Sequence, residues 1–431
     1  MDYSLDQALK WRKSDPENIK KKQDQLLKKH FRQASRNIYY QQLFKKLALN
    51  PEEITPADLN QVPLTSHQDL EADPGAFIAV SEKEQVDLAL TSGTTGTPIL
   101  IPYTNSDLTR LAFNEEICFR GAGLEANDRI LLCVTLDRNF IAGLAYYSGA
   151  VRLGASVIRS GPGQPARQWE LIKQLRPNVI IGVPSFLLKL GEWGQEKGLR
   201  PEKSAIKSLV TIGEPIRQPD YSFTPLGRKL SDIWQTRLCS SYGATELETA
   251  CCECTAGKGG HIHPELLIAE TIDREGNTLP SGEPGELVIT TLGVQGFPLI
   301  RFRTGDIATI EETPCECGWQ TPRLGPLQGR LAQRLKYKGT TLYPEMIFYI
   351  LQEIEGVRAF YLEVRSSFDL SDDITVVVGL DKDFLSADRI ADLLQAGLRV
   401  RPPVEIKRTA EVLAKMNQGS GSKVKRFFDY R

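Results

Sequence analysis

Short apolar runs alternate with longer helical stretches over residues 86–158, and this alternation restricts the chain to few architectures. Ile130-Leu131-Leu132-Cys133-Val134 is one such run, and Val179-Ile180-Ile181-Gly182-Val183 and Leu209-Val210-Thr211-Ile212 repeat it. Strands apolar on both faces belong to parallel sheets covered by helices, so the pattern predicts parallel β/α units. Lys, Gln, Leu and Arg recur with helical spacing over residues 5–49, which predicts two amphipathic helices before Pro51. After about Arg330 the character changes. Phe360-Tyr361-Leu362-Glu363-Val364 and Ile374-Thr375-Val376-Val377-Val378 read as half-buried strands and residues 387–395 as a helix, so a small α+β domain closes the chain. A length of 431 residues suits one large α/β domain with this smaller one.

A formal net charge of −1, with no block of like charge beyond Lys20-Lys21-Lys22, argues against electrostatic capture of nucleic acid or an anionic membrane. No apolar run approaches bilayer length, and the expectation is a soluble, cytoplasmic protein. Of eight cysteines, Cys118, Cys133 and Cys239 stand alone, whereas Cys251, Cys252, Cys254, Cys315 and Cys317 form two short clusters. Such clustering points to metal rather than disulfides. Cys315-Glu316-Cys317-Gly318 is a tight turn able to present two thiolates, and Cys254 with His261 completes a tetrahedral set suited to a structural Zn²⁺. Cys251, Cys252 and His263 are alternative ligands, and reduced free thiols are the alternative to any metal.

The sharpest signal is Thr91-Ser92-Gly93-Thr94-Thr95-Gly96-Thr97-Pro98, which follows an apolar segment. Its glycines allow close backbone approach, and its hydroxyls and N–H groups can surround phosphate oxygens. By composition alone a surface turn is the better reading. Other elements stand in order around it: Asn37-Ile38-Tyr39-Tyr40 and Pro63-Leu64-Thr65 before it, Tyr103-Thr104 after it, then Gly213-Glu214-Pro215 and Ser241-Tyr242-Gly243-Ala244-Thr245-Glu246. Arg303-Thr304-Gly305-Asp306, Gly329-Arg330 and Lys423-Val424-Lys425-Arg426 complete the series. Over nearly the whole chain this series resembles the acyl-adenylate-forming, AMP-binding superfamily, and within it the phenylacetate–CoA ligase branch.

The resemblance implies a large N-terminal adenylate-forming domain over residues 1–328, a hinge over 329–334 and a small mobile C-terminal α+β lid over 335–431. It assigns Thr91, Ser92, Gly93, Thr94, Thr95 and Gly96 to the ATP phosphates, and Gly213, Glu214, Pro215, Tyr242 and Gly243 to the adenine site. Thr245 and Glu246 are similar to the pair that contacts the α-phosphate and holds Mg²⁺. Asp306 and Arg330 match the ribose positions, and Lys423 matches the mobile catalytic lysine of adenylation. Phe140 and Ala244 fall where the branch builds its acid pocket. Asp137-Arg138-Asn139-Phe140 with Gly143, Tyr146 and Tyr147 supplies the aromatic wall, although these rings at helical spacing equally read as core.

The implied activity is ATP-dependent formation of an acyl-CoA thioester through acyl-AMP, with a small carboxylic acid, ATP and CoA as partners; a homodimer is admitted. Delivery of the acyl group to a carrier-protein thiol or an amine, or a catalytically silent nucleotide-binding regulator, are the rival readings. Two departures bear on them. Thr97 replaces a lysine common in the phosphate loop, and Ala332, followed by Gln333, stands where an acidic or lysine pivot is usual. Lys336-Tyr337-Lys338-Gly339 keeps the pattern of the loop that faces the site in the thioester-forming state.

Overall fold

The computed structural model describes residues 3–54, 56–91, 98–137, 139–337, 340–366, 372–381, 385–417 and 424–431. The chain divides into two compact units, residues 1–304 with 308–327, and residues 328–431 with Gly305–Ile307.

Three helices open the first unit where two were expected: Leu5–Arg12, Pro16–Ala34 and Ile38–Leu47. The break falls at Asp15-Pro16, where the aspartate caps the second helix through Asn18 N–H at 2.8 Å and the proline takes the first helical position. Asn37 caps the third helix, accepting from Tyr40 N–H at 2.8 Å.

Five strands form the expected parallel sheet in the spatial order Ser156–Arg159, Arg129–Leu132, Val179–Gly182, Ser208–Ile212 and Arg237–Ala244, with Thr249–Cys252 added antiparallel at the edge. Alternate residues serve opposite faces. Ile130, Leu132, Val179, Ile181 and Val210 pack with Phe119, Tyr146 and Leu153 of the helices Asn105–Gly121 and Ile141–Leu153. Leu131, Ile180, Leu209 and Leu238 pack on the other side with Trp169, Leu187, Leu190 and Trp234, from the helices Pro165–Leu175, Pro184–Glu196 and Pro225–Trp234. One expectation fails at the start of this region. Asp87–Leu90 does not join the parallel sheet but pairs antiparallel with Leu100–Tyr103, since the nine residues between them are too few for the crossover a parallel pair needs.

A further core gathers Leu27, Phe31, Tyr40 and Phe44 of the opening helices against Leu267, Leu287, Ile289 and Phe302. In the second unit the strands run in the order Val404–Lys407, Asp372–Gly379, Ala359–Ser366 and Phe427–Asp429, with helices Pro344–Glu353, Ala387–Leu398 and Thr409–Met416. This is the expected α+β arrangement. Among the described residues no helix is long and apolar enough to cross a membrane.

Candidate active site and metal centre

Pairing of Ile212 with Ser241 sets Gly213 beside Tyr242 at the carboxyl ends of two parallel strands, where open α/β sheets bind their ligands. Gly213 has φ +83°, a conformation that glycine adopts without strain. The Glu214 carboxylate is already committed to structure. It accepts from Ser185 N–H at 2.8 Å and from the Ser185 hydroxyl at 3.0 Å, at the start of the helix Pro184–Glu196. Tyr242 is half-buried, Gly243 is exposed, and Ala244 is half-buried and packs on the large core.

The turn Thr245–Leu247 follows this strand directly, and Glu246 is buried within it. Two neighbours meet this turn, Tyr103 from the motif series and His67, which no motif marks. The Tyr103 hydroxyl donates to the Thr245 carbonyl at 3.3 Å, and burial, with Glu248, Asp107 and Glu246 nearby, pushes its pKa well up, so it remains a donor. His67 Nε2 lies 4.0 Å from Glu246 Oε1, its ring edge-on to Phe302 with centroids 5.0 Å apart. Nothing in spacing marks His67; the fold brings it in by sewing Thr65 to the neighbouring strand. Thr65 N–H donates to the Arg301 carbonyl at 2.9 Å and Arg303 N–H to the Thr65 carbonyl at 2.8 Å. Tyr40 fastens the same place, its hydroxyl accepting from Ile300 N–H at 2.8 Å and lying 3.1 Å from Thr65 Oγ1. The Asn-Ile-Tyr-Tyr and Pro-Leu-Thr motifs thus hold the scaffold beside Glu246.

In the second unit Asp306 and Arg330 are register partners on an antiparallel ladder, with Arg330 Nε 3.0 Å from Asp306 Oδ1. The aspartate is buried and the arginine side chain half-exposed. Thr91 closes the segment before the phosphate run, its hydroxyl accepting from Ile99 N–H at 3.0 Å. Ser92, Gly93, Thr94, Thr95, Gly96 and Thr97 lie outside the described residues, as do Arg138, Lys338, Gly339 and Lys423.

Phe140 stands at the start of the helix Ile141–Leu153 and packs half-buried against the sheet core. A Cβ on Gly143 would stand 1.8 Å from the Thr135 carbonyl oxygen, so the loop leading to Phe140 folds onto this helix only because residue 143 is glycine. Asn139, at φ +56°, anchors the loop through its Nδ2–H to the Leu88 carbonyl at 3.1 Å. Tyr146 belongs to the core, its hydroxyl donating to Ser241 Oγ at 3.3 Å, whereas Tyr147 lies half-buried below the Arg159 guanidinium.

The fold brings Cys254, His261, Cys315 and Cys317 together, their ligand atoms all within 4.8 Å of one another. Cys254 Sγ and Cys315 Sγ are 3.6 Å apart, and Cys317 Sγ lies 3.3 Å from His261 Nε2. A tetrahedral zinc with bonds of about 2.3 Å to sulfur requires sulfur–sulfur edges of about 3.8 Å, so these spacings fit. The turn is shaped by Gly318 at φ +89°, whose N–H donates to the Cys315 carbonyl at 2.9 Å. His261 Nδ1 is 2.9 Å from Thr321 Oγ1, an outer contact of the kind that orients a ligating imidazole. Burial pulls the His261 pKa down to about 4 and so keeps the ring neutral, as ligation requires. The alternatives are used elsewhere. Cys251 and Cys252 are buried in the strand Thr249–Cys252, and His263 Nε2 faces Cys118 Sγ at 3.3 Å.

These strand ends and the buried acid sit on an α/β frame, and a separate α+β unit follows. The family described as AMP-binding enzyme matches residues 14–295. Similar proteins include the phenylacetate–coenzyme A ligase of Thermus thermophilus, 28% identical over 91% of this chain and 92% of its own length. That of Escherichia coli K12 is 30% identical over 84% of this chain and 83% of its own. A 2-hydroxyisobutyryl-CoA ligase structure superposes with a TM-score of 0.84 at 19% identity, covering 98% of this chain and 92% of that one. The MatB structure from Rhodopseudomonas palustris gives 0.61 at 19% identity, over 81% of this chain and 68% of that one. The chain belongs to the AMP-binding enzyme family, in its phenylacetate–coenzyme A ligase branch. With that membership comes an enzyme class, the ATP-dependent ligases that join a carboxylic acid to a thiol by way of an acyl-AMP.

Proposed function

We propose that this chain converts an aryl or arylalkyl carboxylic acid into its coenzyme A thioester in the cytoplasm. In the first step a carboxylate oxygen attacks the α-phosphorus of ATP, and pyrophosphate leaves. In the second the thiol sulfur attacks the acyl carbon, losing its proton as the bond to AMP breaks. The observation that carries the reading is the placement of Thr245 and Glu246 immediately beyond the Gly213–Tyr242 strand ends. There Glu246 is a hard oxygen ligand suited to a Mg²⁺ that neutralises phosphate charge, and Tyr103 holds the turn that presents it. Asp306 and Arg330 receive the ribose hydroxyls, and Lys423 stabilises the charge that develops at the α-phosphate.

Phe140 and Ala244 line the acid site in this reading, and an aromatic wall favours a flat ring by about 0.5–1.5 kcal/mol beyond burial. The named activity of the branch relatives supports the same choice. With ATP, Mg²⁺ and coenzyme A, purified enzyme is expected to release AMP faster with phenylacetate, benzoate or hydroxylated relatives than with medium-chain fatty acids. The reverse order would remove the aryl assignment. AMP release with an aryl acid but no accumulating CoA thioester would remove only the acceptor.

Cys254, His261, Cys315 and Cys317 hold a structural zinc in this reading, since four protein ligands leave no open position for substrate. Elemental analysis of protein purified without chelator is expected to find about one zinc per chain, lost in Cys317→Ser together with thermal stability. Zinc-free native protein whose clustered thiols all alkylate would refute the assignment.

A further inference from the structure

We propose that Arg431 is a positioning residue for the passage between the two half-reactions, clasping the segment that follows the Gly329–Arg330 ladder; this rests on the two-step reading above. Its guanidinium donates to the Ala332 carbonyl at 3.3 Å and to the Arg334 carbonyl at 3.1 Å. Two carboxylates hold it there: Asp429 accepts from Nε at 2.9 Å and from a terminal nitrogen at 2.7 Å, and Asp372 Oδ2 accepts at 3.2 Å. Asp372 Oδ2 also accepts from Lys336 N–H at 2.6 Å, so one acid binds both the clasp and the strand that leaves the segment. The clasp lies at the surface, with the Arg431 side chain 23% exposed.

The other end of the segment is held independently. Ile307 pairs with Gly329 and Asp306 with Arg330, and Gln328 N–H donates to the Ile307 carbonyl at 2.8 Å. Between the ladder and the clasp lies the short turn Leu331–Gln333, closed by Arg334 N–H to the Leu331 carbonyl at 3.1 Å. A backbone fixed on both sides can change direction only through the torsions between them, here those around Leu331. The sequence lacks a charged side chain at Ala332, where the branch usually carries its pivot. Arg431 brings a charged group to the Ala332 carbonyl from 99 residues further along the chain. Swivelling thus becomes a localised motion rather than a general loosening of residues 329–336.

Two measurements on the full chain test this. Hydrogen exchange of residues 331–336 is expected to quicken at least about tenfold in Arg431→Ala, with the strands Ala359–Ser366 and Asp372–Gly379 unchanged. Acid-dependent pyrophosphate exchange should stay within about twofold, while single-turnover transfer from preformed acyl-AMP to coenzyme A slows about tenfold, with Arg431→Lys intermediate. Asp372→Asn loosens the same clasp while keeping the arginine, and serves if Arg431→Ala fails to fold. Unchanged exchange in both variants would overturn the clasp. Faster exchange with both half-reactions slowed equally, or neither slowed, would overturn the positioning role. A wild-type enzyme that forms no acyl-AMP would overturn the two-step reading alone, since the clasp is judged by exchange.

Discussion

Lys423→Ala is expected to lower acid-dependent pyrophosphate exchange by roughly 10²–10³-fold, the usual cost of removing one group aimed at charge that develops only in the transition state. Lys423 lies outside the described residues, and its role comes from the resemblance of Lys423-Val424-Lys425-Arg426 to the family's C-terminal motif. An ammonium is a compact charge able to sit between the attacking carboxylate and the α-phosphate. Ground-state ATP binding should persist, so the loss belongs in kcat rather than in the KM for ATP. Transfer from preformed acyl-AMP to coenzyme A should be largely spared, because that step no longer breaks a phosphoanhydride. Near-normal exchange in the variant, or an equal loss in both half-reactions, would take Lys423 out of the adenylation step.

Arg12→Ala should destabilise the large unit by about 3–5 kcal/mol, the range for removing one partner of a buried ion pair. Arg12 is fully buried, and its guanidinium pairs with Glu265, donates to the Ala8 carbonyl at 3.0 Å and lies 2.6 Å from His263 Nδ1. Burial and the neighbouring Arg12 push the His263 pKa well below the ordinary value. The ring is therefore neutral: Nδ1 accepts from Arg12, and Nε2–H is left for Cys118 Sγ at 3.3 Å. Arg12 also sits over the Trp319 ring at 5.5 Å, and its carbonyl accepts from Gln320 N–H at 2.6 Å, which docks the first helix onto the turn carrying Cys315 and Cys317. Removing the guanidinium leaves the Glu265 carboxylate buried without its partner. Thermal and urea denaturation should show the loss as a fall of roughly 5–10 °C in the melting transition. Arg12→Met combined with Glu265→Gln should recover at least half of it, because no unpaired charge then remains. A single variant within 1 kcal/mol of wild type would show that the pair does not hold the helix.

Periodicity and turn chemistry alone determined much of this protein. Runs such as Ile130-Leu131-Leu132 and Val179-Ile180-Ile181 are apolar at every position because both faces of a parallel sheet are covered, and the fold divides them between two cores as that logic requires. Cys315-Glu316-Cys317-Gly318 was legible as a tight turn because the positive φ that Gly318 takes is one glycine adopts without strain. Choices among distant partners were not legible. His261 and His263 are two residues apart and equally able to bind metal, yet Arg323 pairs with His261 and carries it beside Cys317, while His263 turns to Arg12. Tyr103 and His67 reach Thr245 and Glu246 across more than a hundred residues. Asp87–Leu90 falls in the stretch expected to form parallel units, but its partner is Leu100–Tyr103, antiparallel to it. Arg431 bonds the Ala332 carbonyl only because Phe427–Asp429 adds in parallel beside Ala359–Ser366. Local patterns encode which element forms, because that depends on residues a few positions apart. Which elements meet is decided by packing and by the satisfaction of buried polar groups, and these exist only once the whole chain has folded.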